Sequence, residues 1–244
     1  MQPLVTLERL AGELGLTLDA ATLERFRLYA DLLLDWNRRM NLTRVTGVEE
    51  IQVKLFADAL ALMPFILRYQ AAHERTTRLR LIDIGSGAGF PGLPLKIVDP
   101  KLDVTLVEAT GKKVRFLDAV IAALGLEAVT ALHGRAEDLA HRPDLRGRFD
   151  IVVARAVARL PALLELSMPF CRVGGLGLFP KGADAAAEAA ESTAALKTLR
   201  ARLIGIEPVT LPDLAGTAIV VVEQVGKLPA EYPRRPGMPA KHPL

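Results

Sequence analysis

The chain has 244 residues, half of them hydrophobic and about a quarter charged, with a net charge of +3. That is enough for one α/β domain with an extension and a full core, and it excludes a small scaffold that depends on staples. One cysteine, Cys171, excludes an internal disulfide framework, a cysteine-rich zinc site and a CxxC redox pair, and suggests a reducing, cytoplasmic setting.

Residues 1–75 read as a helical extension. The N-terminus has an early acid, Glu8, and no basic n-region, so a signal peptide is not expected. Phe26, Tyr29, Leu33, Trp36 and Met40 step by three and four, which marks one helix face. These aromatics are read as core rather than as base-stacking groups. The helix is expected to break at Asn41-Leu42-Thr43. Thr46-Gly47-Val48-Glu49 matches a capping box, after which Val48, Ile51, Leu55 and Ala59 continue a second apolar stripe. The longest apolar run, Ala59 to Leu67, is too short to cross a bilayer and contains Pro64. No membrane partner is expected.

Residues 76–226 alternate. Leu79–Ile84, Val104–Glu108, Val129–His133, Ile151–Ala154, Leu176–Phe179 and Ala218–Val222 read as strands. The stretches 91–98, 111–124, 160–171 and 184–200 read as helices, the last of them a plain solvated one. The alternation predicts a doubly wound, mostly parallel sheet covered on both faces, with the last strand antiparallel at or near an edge. The tail, 227–244, holds Pro229, Pro233, Pro236, Pro239 and Pro243 with Lys227, Arg234, Arg235 and Lys241. Such a segment is expected to be an extended basic arm, neither helix nor inner strand.

Asp83-Ile84-Gly85-Ser86-Gly87-Ala88-Gly89-Phe90-Pro91-Gly92 follows the first strand and opens a helix. Glycines there let a ligand approach the main chain at the carboxyl end of a strand, where open α/β sheets bind ligands. A bare tight turn is the plainer alternative. Gly87, Gly89 and Gly92 alone also spell a dinucleotide fingerprint. Glu108, at the end of the second strand, suits a ribose in either reading. Two features favour S-adenosylmethionine. Asp83 two residues before Gly85 gives the order acid-x-Gly-x-Gly-x-Gly, and Pro91 and Pro94 remove amide donors that a pyrophosphate would use. No Gly-Lys-Ser/Thr follows, so a nucleoside triphosphate loop is excluded. Ala136 and Glu137, after the third strand, would flank the adenine. No metal is expected.

The fourth strand runs into Ala154-Arg155-Ala156, without the Pro-Pro-aromatic motif of exocyclic amine methylation. Methylation at cytosine C5 needs a nucleophilic cysteine, and Cys171, expected inside a helix, reads as core. What remains is a target that is already nucleophilic, such as a ring nitrogen. Guanine N7 needs no general base, and alignment suffices. Arg155 and Lys181, at the ends of strands four and five, are the candidate catalytic cations, placed to hold phosphate or guanine O6. A surface cation at a strand end is the plainer alternative for each.

Nearly the whole chain resembles the RsmG (GidB) family of bacterial small-subunit rRNA methyltransferases. The likeness runs through Asn41-Leu42-Thr43, the cofactor loop from Asp83 to Leu95, Glu108-Ala109-Thr110-Gly111-Lys112-Lys113, Gly134-Arg135-Ala136-Glu137, Ala154-Arg155-Ala156-Val157, Lys181-Gly182 and Tyr232-Pro233-Arg234-Arg235-Pro236-Gly237. It implies a class I (Rossmann-like) S-adenosylmethionine-dependent methyltransferase fold and methylation of guanine N7 in the 530 loop of 16S rRNA, on RNA or the small subunit, by a monomer. It places the cofactor against Gly85, Phe90, Glu108, Ala109, Thr110, Ala136, Glu137 and Arg155, and Asp83, Gly87 and Gly89 of the loop are expected to bind the cofactor with them. Arg135, Lys181, Arg234 and Arg235 are the candidate RNA contacts. Where the family has His-Phe-x-Asp-Ser-Leu, this chain reads Leu55-Phe56-Ala57-Asp58-Ala59-Leu60. A small-molecule methyltransferase and a non-catalytic module of the same fold are the alternatives. The first is expected to carry an enclosing cap, and the second to have lost Gly85, Gly87 or Glu108.

Overall fold

In the computed structural model, which describes residues 4–73 and 78–244, α1 (Val5–Glu13) leads to Asp19, which starts the longest helix. Its carboxylate accepts from the Thr22 amide at 2.7 Å, satisfying a donor that has no partner within the helix. Helix α2 (Ala20–Met40) buries Phe26, Tyr29, Ala30 and Leu33 on one face, as the spacing predicts. It ends at Asn41, whose φ of 50° is left-handed. The Asn37 amide clamps the turn, donating to Thr43 O at 3.0 Å and accepting from Thr43 N at 2.9 Å.

The capping box does not form. Gly47 caps α3 (Val48–Ile51) without a side-chain hydrogen bond. Glu49 is used elsewhere, accepting from the Thr6 hydroxyl at 2.6 Å and from Gln52 at 3.1 Å. A π-helical turn (Gln52–Ala57) joins α3 to α4 (Asp58–Leu60), and α5 (Met63–Ala72) follows. Buried Gln52 accepts from the Leu7 amide at 3.0 Å, tying α1 to the π turn. These helices share one hydrophobic cluster with the sheet layer: Phe26, Tyr29, Leu33 and Phe56 pack with Leu81, Leu93 and Leu106. The boundary expected near residue 75 lies outside the described residues.

The alternating region runs β1 (Arg80–Ile84), α6 (Gly92–Val98), β2 (Asp103–Glu108), α7 (Gly111–Ala123), β3 (Val129–His133), α8 (Ala136–Leu139), β4 (Phe149–Val153), α9 (Leu160–Ser167), β5 (Cys171–Lys181), α10 (Ala185–Glu191), α11 (Thr193–Thr198), β6 (Ala201–Pro208), β7 (Ala218–Gln224) and α12 (Met238–Lys241). The described strands form one sheet in the order β3-β2-β1-β4-β5-β7-β6. β1 to β5 are parallel, and β7 runs antiparallel to both β5 and β6. β4 is buried along its whole length, as a strand covered on both faces should be. Strand order reverses between β1 and β4, so the crevice for a ligand opens at their carboxyl ends.

The structure corrects several expectations. β7 is antiparallel and next to the edge, as expected, but the edge itself belongs to β6, a strand that was not expected. Cys171 is not in a helix. Pro169 follows α9, a 3₁₀ turn (Met168–Phe170) closes it, and Cys171 is the first residue of β5. The stretch 184–200 is two short helices that bury Ala185, Ala189, Ala195 and Leu199, not one solvated helix. The proline-rich tail does contain a helical turn, α12, because Pro239 sits in its first turn, where no amide donor is needed.

Candidate active site

The glycine loop leaves β1 at the crevice, and most of its amides already have protein acceptors. Gly85 N and Ser86 N donate to Val107 O at 2.9 and 3.0 Å, while Gly89 N and Phe90 N donate to Ser86 O at 2.7 and 2.9 Å. Gly92 N donates to Asp83 Oδ2 at 2.8 Å, and Pro91, the residue capping α6, has no amide to offer. At the start of α6 the donors that a pyrophosphate would need are therefore absent or already used. A ligand without phosphates loses nothing by this.

From behind, the loop is buttressed by the helical extension. Tyr29 stacks on Phe90 with centroids 5.3 Å apart and 7° between the rings, and its hydroxyl donates to Ala88 O. Phe56 packs against Phe26 and Phe90 at 4.8 and 6.0 Å. Gly89 is required by this packing: at φ 95°, a Cβ would stand 2.6 Å from the Tyr29 hydroxyl and on top of Leu93. At Gly87 the backbone is also left-handed, but nothing lies closer than 3.9 Å. The space above Gly87 is open and fits a bound group.

Glu108, at the carboxyl end of β2, is held from two sides. Oε2 accepts from Gly87 N at 3.0 Å and Oε1 from Thr110 N at 2.8 Å. A carboxylate has about four acceptor directions, so the pair orients Glu108 and leaves capacity for two ribose hydroxyls. Ala109 and Thr110 form the rim beside it. Asp83 is fully buried beneath the loop, and its Oδ1 has no partner. Burial pushes its carboxyl up to about 7, against the hydrogen bond from Gly92 and the charge of Arg155. Ala136 and Glu137 open α8 after β3, and the Arg135 that caps it is exposed.

The loop after β4 closes the other side. A Cβ on Gly85 would lie 2.7 Å from the Val157 side chain, so the two loops touch. Arg155 lies in this loop, two residues past β4. Its guanidinium donates to Lys54 O at 2.9 Å and pairs with Asp58 Oδ2 at 2.5 Å, pinning the π turn and α4 to the crevice. Burial pushes the Asp58 carboxyl up, and Arg155 pulls against it. Lys181, the last residue of β5, pairs with Glu188 Oε2 and donates to Ala158 O, both at 2.8 Å. Lys54, Asp58, Arg155 and Lys181 line a cavity of about 410 Å³ with Pro180, Leu214 and Thr217. Each of its three cations has a carboxylate partner: Arg155 pairs with Asp58, Lys181 with Glu188, and Lys54 with Glu50 at 2.6 Å.

Other candidates lie apart. Cys171 is buried at the opposite, amino-terminal end of the strands, paired in register with Phe149 at the start of β4, and burial pushes its thiol far up. Arg235 is exposed on the tail. Arg234 is not a free cation: it makes three hydrogen bonds to Glu165, a fully buried side chain. Sequence reasoning missed Glu165, Arg146 and His141 as holders of the tail, because nothing in their spacing announces a partner some 70 to 90 residues away. Among the described residues, no group of acidic, histidine or cysteine side chains is arranged to hold a metal, and no helix is long and apolar enough to cross a membrane.

The sequence profile of rRNA small subunit methyltransferase G (GidB) matches residues 22–211. The chain belongs to that family. The rRNA small subunit methyltransferase G of Roseiflexus castenholzii is 44% identical, with 97% of each chain covered. That of Streptococcus equi subsp. zooepidemicus is 43% identical over 91% of each. A solved S-adenosylmethionine-dependent methyltransferase from Aquifex aeolicus superposes with a TM-score of 0.55 at 15% identity, covering 76% of this chain and 97% of that one. The likeness is one of fold, and it matches the class I architecture expected for the G family.

Proposed function

We propose that this protein transfers a methyl group from S-adenosylmethionine to N7 of a guanine in the 530 loop of 16S ribosomal RNA, in the cytoplasm, on RNA or the assembling small subunit. The observation that carries the reading is the pocket lined by Lys54, Arg155 and Lys181, on the loop that meets Gly85 through Val157, beside a glycine loop whose helix amides are spent internally. Membership of the rRNA small subunit methyltransferase G family supports ribosomal RNA as the substrate.

S-Adenosylmethionine supplies an electrophilic methyl group on a sulfonium, and guanine N7 takes it with its own lone pair. No proton leaves N7, so no general base is needed, and the protein's work is alignment. In this reading Glu108 holds the ribose, Gly85 and Gly87 let the cofactor lie close to the main chain, and Ala136 and Glu137 flank the adenine. Arg155 and Lys181 take the electronegative edge of the base or its phosphate. Each already has protein partners that fix its position.

The test is methyl transfer from labelled cofactor to RNA and to small subunits from a strain lacking the enzyme, followed by mapping. Label at one guanine whose site becomes cleavable by the borohydride–aniline reaction, which is selective for N7-methylguanine, is the expected result. Label on an exocyclic amine or on cytosine C5, or no label on RNA, would overturn it.

A further inference from the structure

The C-terminal segment is bound along its length by side chains of the α8–β4 connection and of α9. Arg146 Nη2 donates to Pro229 O at 2.8 Å, and its Nη1 donates to Tyr232 O at 2.7 Å. His141 Nε2 lies 2.9 Å from Pro233 O. Arg234 enters the pair with Glu165 on α9, through both its side chain and its backbone amide at 2.6–2.9 Å, and also donates to His242 O at 2.7 Å. Leu228, Tyr232 and Leu244 pack on the cluster formed by α9 and the far face of the sheet.

The last tether reaches the site itself. Gly237 N donates to Glu137 Oε1 at 3.0 Å. Glu137 is only 8% exposed, so its carboxylate is used beneath the surface by the tail. Gly237 is suited to this contact because its φ of 82° is a left-handed turn that few other residues adopt without strain. The main chain at Ala136 and Glu137 is what lines the adenine end of the proposed cofactor site. Between that turn and solvent-side α12 there is thus one continuous chain of fixed contacts: Glu165 to Arg234, the bend to Gly237, and Gly237 to Glu137.

We infer that the C-terminal arm is a positioning element for the cofactor site, holding the Ala136–Glu137 turn against the adenine through the Gly237–Glu137 hydrogen bond, with the Arg234–Glu165 ion pair as its anchor. The inference rests on the assignment of that turn to the cofactor. It assigns Arg234 to cofactor affinity, not to RNA. A buried carboxylate deprived of its arginine is left charged and uncompensated, so loss of Arg234 releases the arm at its firmest point.

Two measurements test this in the full-length enzyme. In the first, Arg234→Ala is compared with Arg234→Lys and wild type. Loss of the anchor raises KM and Kd for S-adenosylmethionine about tenfold, while kcat at saturating cofactor and KM for RNA stay within twofold. Arg234→Lys falls between, because lysine restores the charge but not the paired geometry. Unchanged cofactor affinity per folded molecule, or a loss confined to RNA affinity, overturns the inference.

The second measurement needs no variant and so does not depend on folding of a mutant. Coupling between binding and docking is reciprocal. The Gly237 amide of the wild-type enzyme should therefore exchange its hydrogen about tenfold more slowly when S-adenosylhomocysteine is bound. Equal exchange with and without ligand overturns the inference. Failure of wild type to bind either cofactor form at all would sink the proposed function instead, which keeps the two failures distinct.

Discussion

Asp83 sits at the point where the sequence motif and the fold meet, and its protonation has a consequence for stability. Burial raises its pKa from an ordinary 3.8 to about 7. Between those values the folded chain holds the proton more tightly than the unfolded chain does. This contribution to stability is complete below about pH 4 and is lost as pH rises through 7. Asp83→Asn keeps an acceptor for Gly92 N and removes the titration. The variant should gain on wild type by on the order of a few kcal/mol between pH 5 and pH 8, read from urea midpoints without cofactor. A constant difference between the two proteins across that range would show that Asp83 ionises normally. The glycines separate in the same way. Gly89→Ala should cost several kcal/mol, since its Cβ would meet Tyr29 and Leu93 at a left-handed φ. Gly87→Ala meets nothing closer than 3.9 Å and should cost only about 1–2 kcal/mol of backbone strain. Its larger effect should be on cofactor affinity by calorimetry. Equal melting losses for the two would contradict the packing described here. Cys171→Ser should retain methyl transfer, because the thiol is buried at the far end of the strands from the crevice. A folded, cofactor-binding but inactive serine variant would restore a nucleophilic cysteine.

At the scale of elements, Arg155 is the staple between the helical extension and β4. Its ion pair with Asp58 is mostly buried, with side chains 24% and 12% exposed. Breaking a fully buried pair costs about 3–5 kcal/mol, and the exposure of Arg155 brings the expected loss in Arg155→Ala toward the lower end. Arg155→Ala and Asp58→Ala together should cost clearly less than their sum in urea denaturation. Additivity within about 0.5 kcal/mol would mean that the two residues act separately.

Strands β1 to β4 were legible because each is a short apolar run bounded by turn residues. The helix face from Phe26 to Leu33 was legible from its step of three and four. β6 was not, because an edge strand is amphipathic at best. None of its residues is buried, Arg202, Ile204, Glu207 and Pro208 are exposed, and Gly205 sits at a register shift. The start of β5 was hidden in the same way, since Gly174 and Gly175 interrupt the apolar run that would have extended it back to Cys171. Local pattern reveals which residues face the core. It does not reveal that a strand from the end of the domain is inserted between two others. For the site, the glycine loop and Glu108 could be read from order along the chain. The Arg155–Asp58 and Arg234–Glu165 pairs join residues 97 and 69 positions apart and could not.

On the scale of the whole molecule, a net charge of +3 is too small to bind RNA by bulk attraction, so RNA affinity is expected to come from individually placed cations. The candidates differ in how free they are. Arg135 and Arg235 are exposed, Lys181 is half-buried and paired with Glu188, and Arg234 is committed to Glu165. Each phosphate neutralised releases counterions, and the slope of log affinity against log salt changes by about 0.7–0.9 per contact. Arg135→Ala and Arg235→Ala should therefore each weaken RNA binding at low salt and flatten that slope by about 0.7–0.9, with little change in melting temperature, as is usual for exposed substitutions. Arg234→Ala should leave the slope where it is and lower the melting temperature, because its guanidinium is spent inside the protein. The comparison is made by titrating a labelled RNA hairpin at several salt concentrations with the three variants side by side. If Arg234→Ala flattens the slope as much as Arg235→Ala does, Arg234 leaves Glu165 in the complex and the arm reaches for RNA. If neither Arg135→Ala nor Arg235→Ala changes the slope, the RNA is held at other cations, and those lining the cavity, Lys54, Arg155 and Lys181, become the ones to change next.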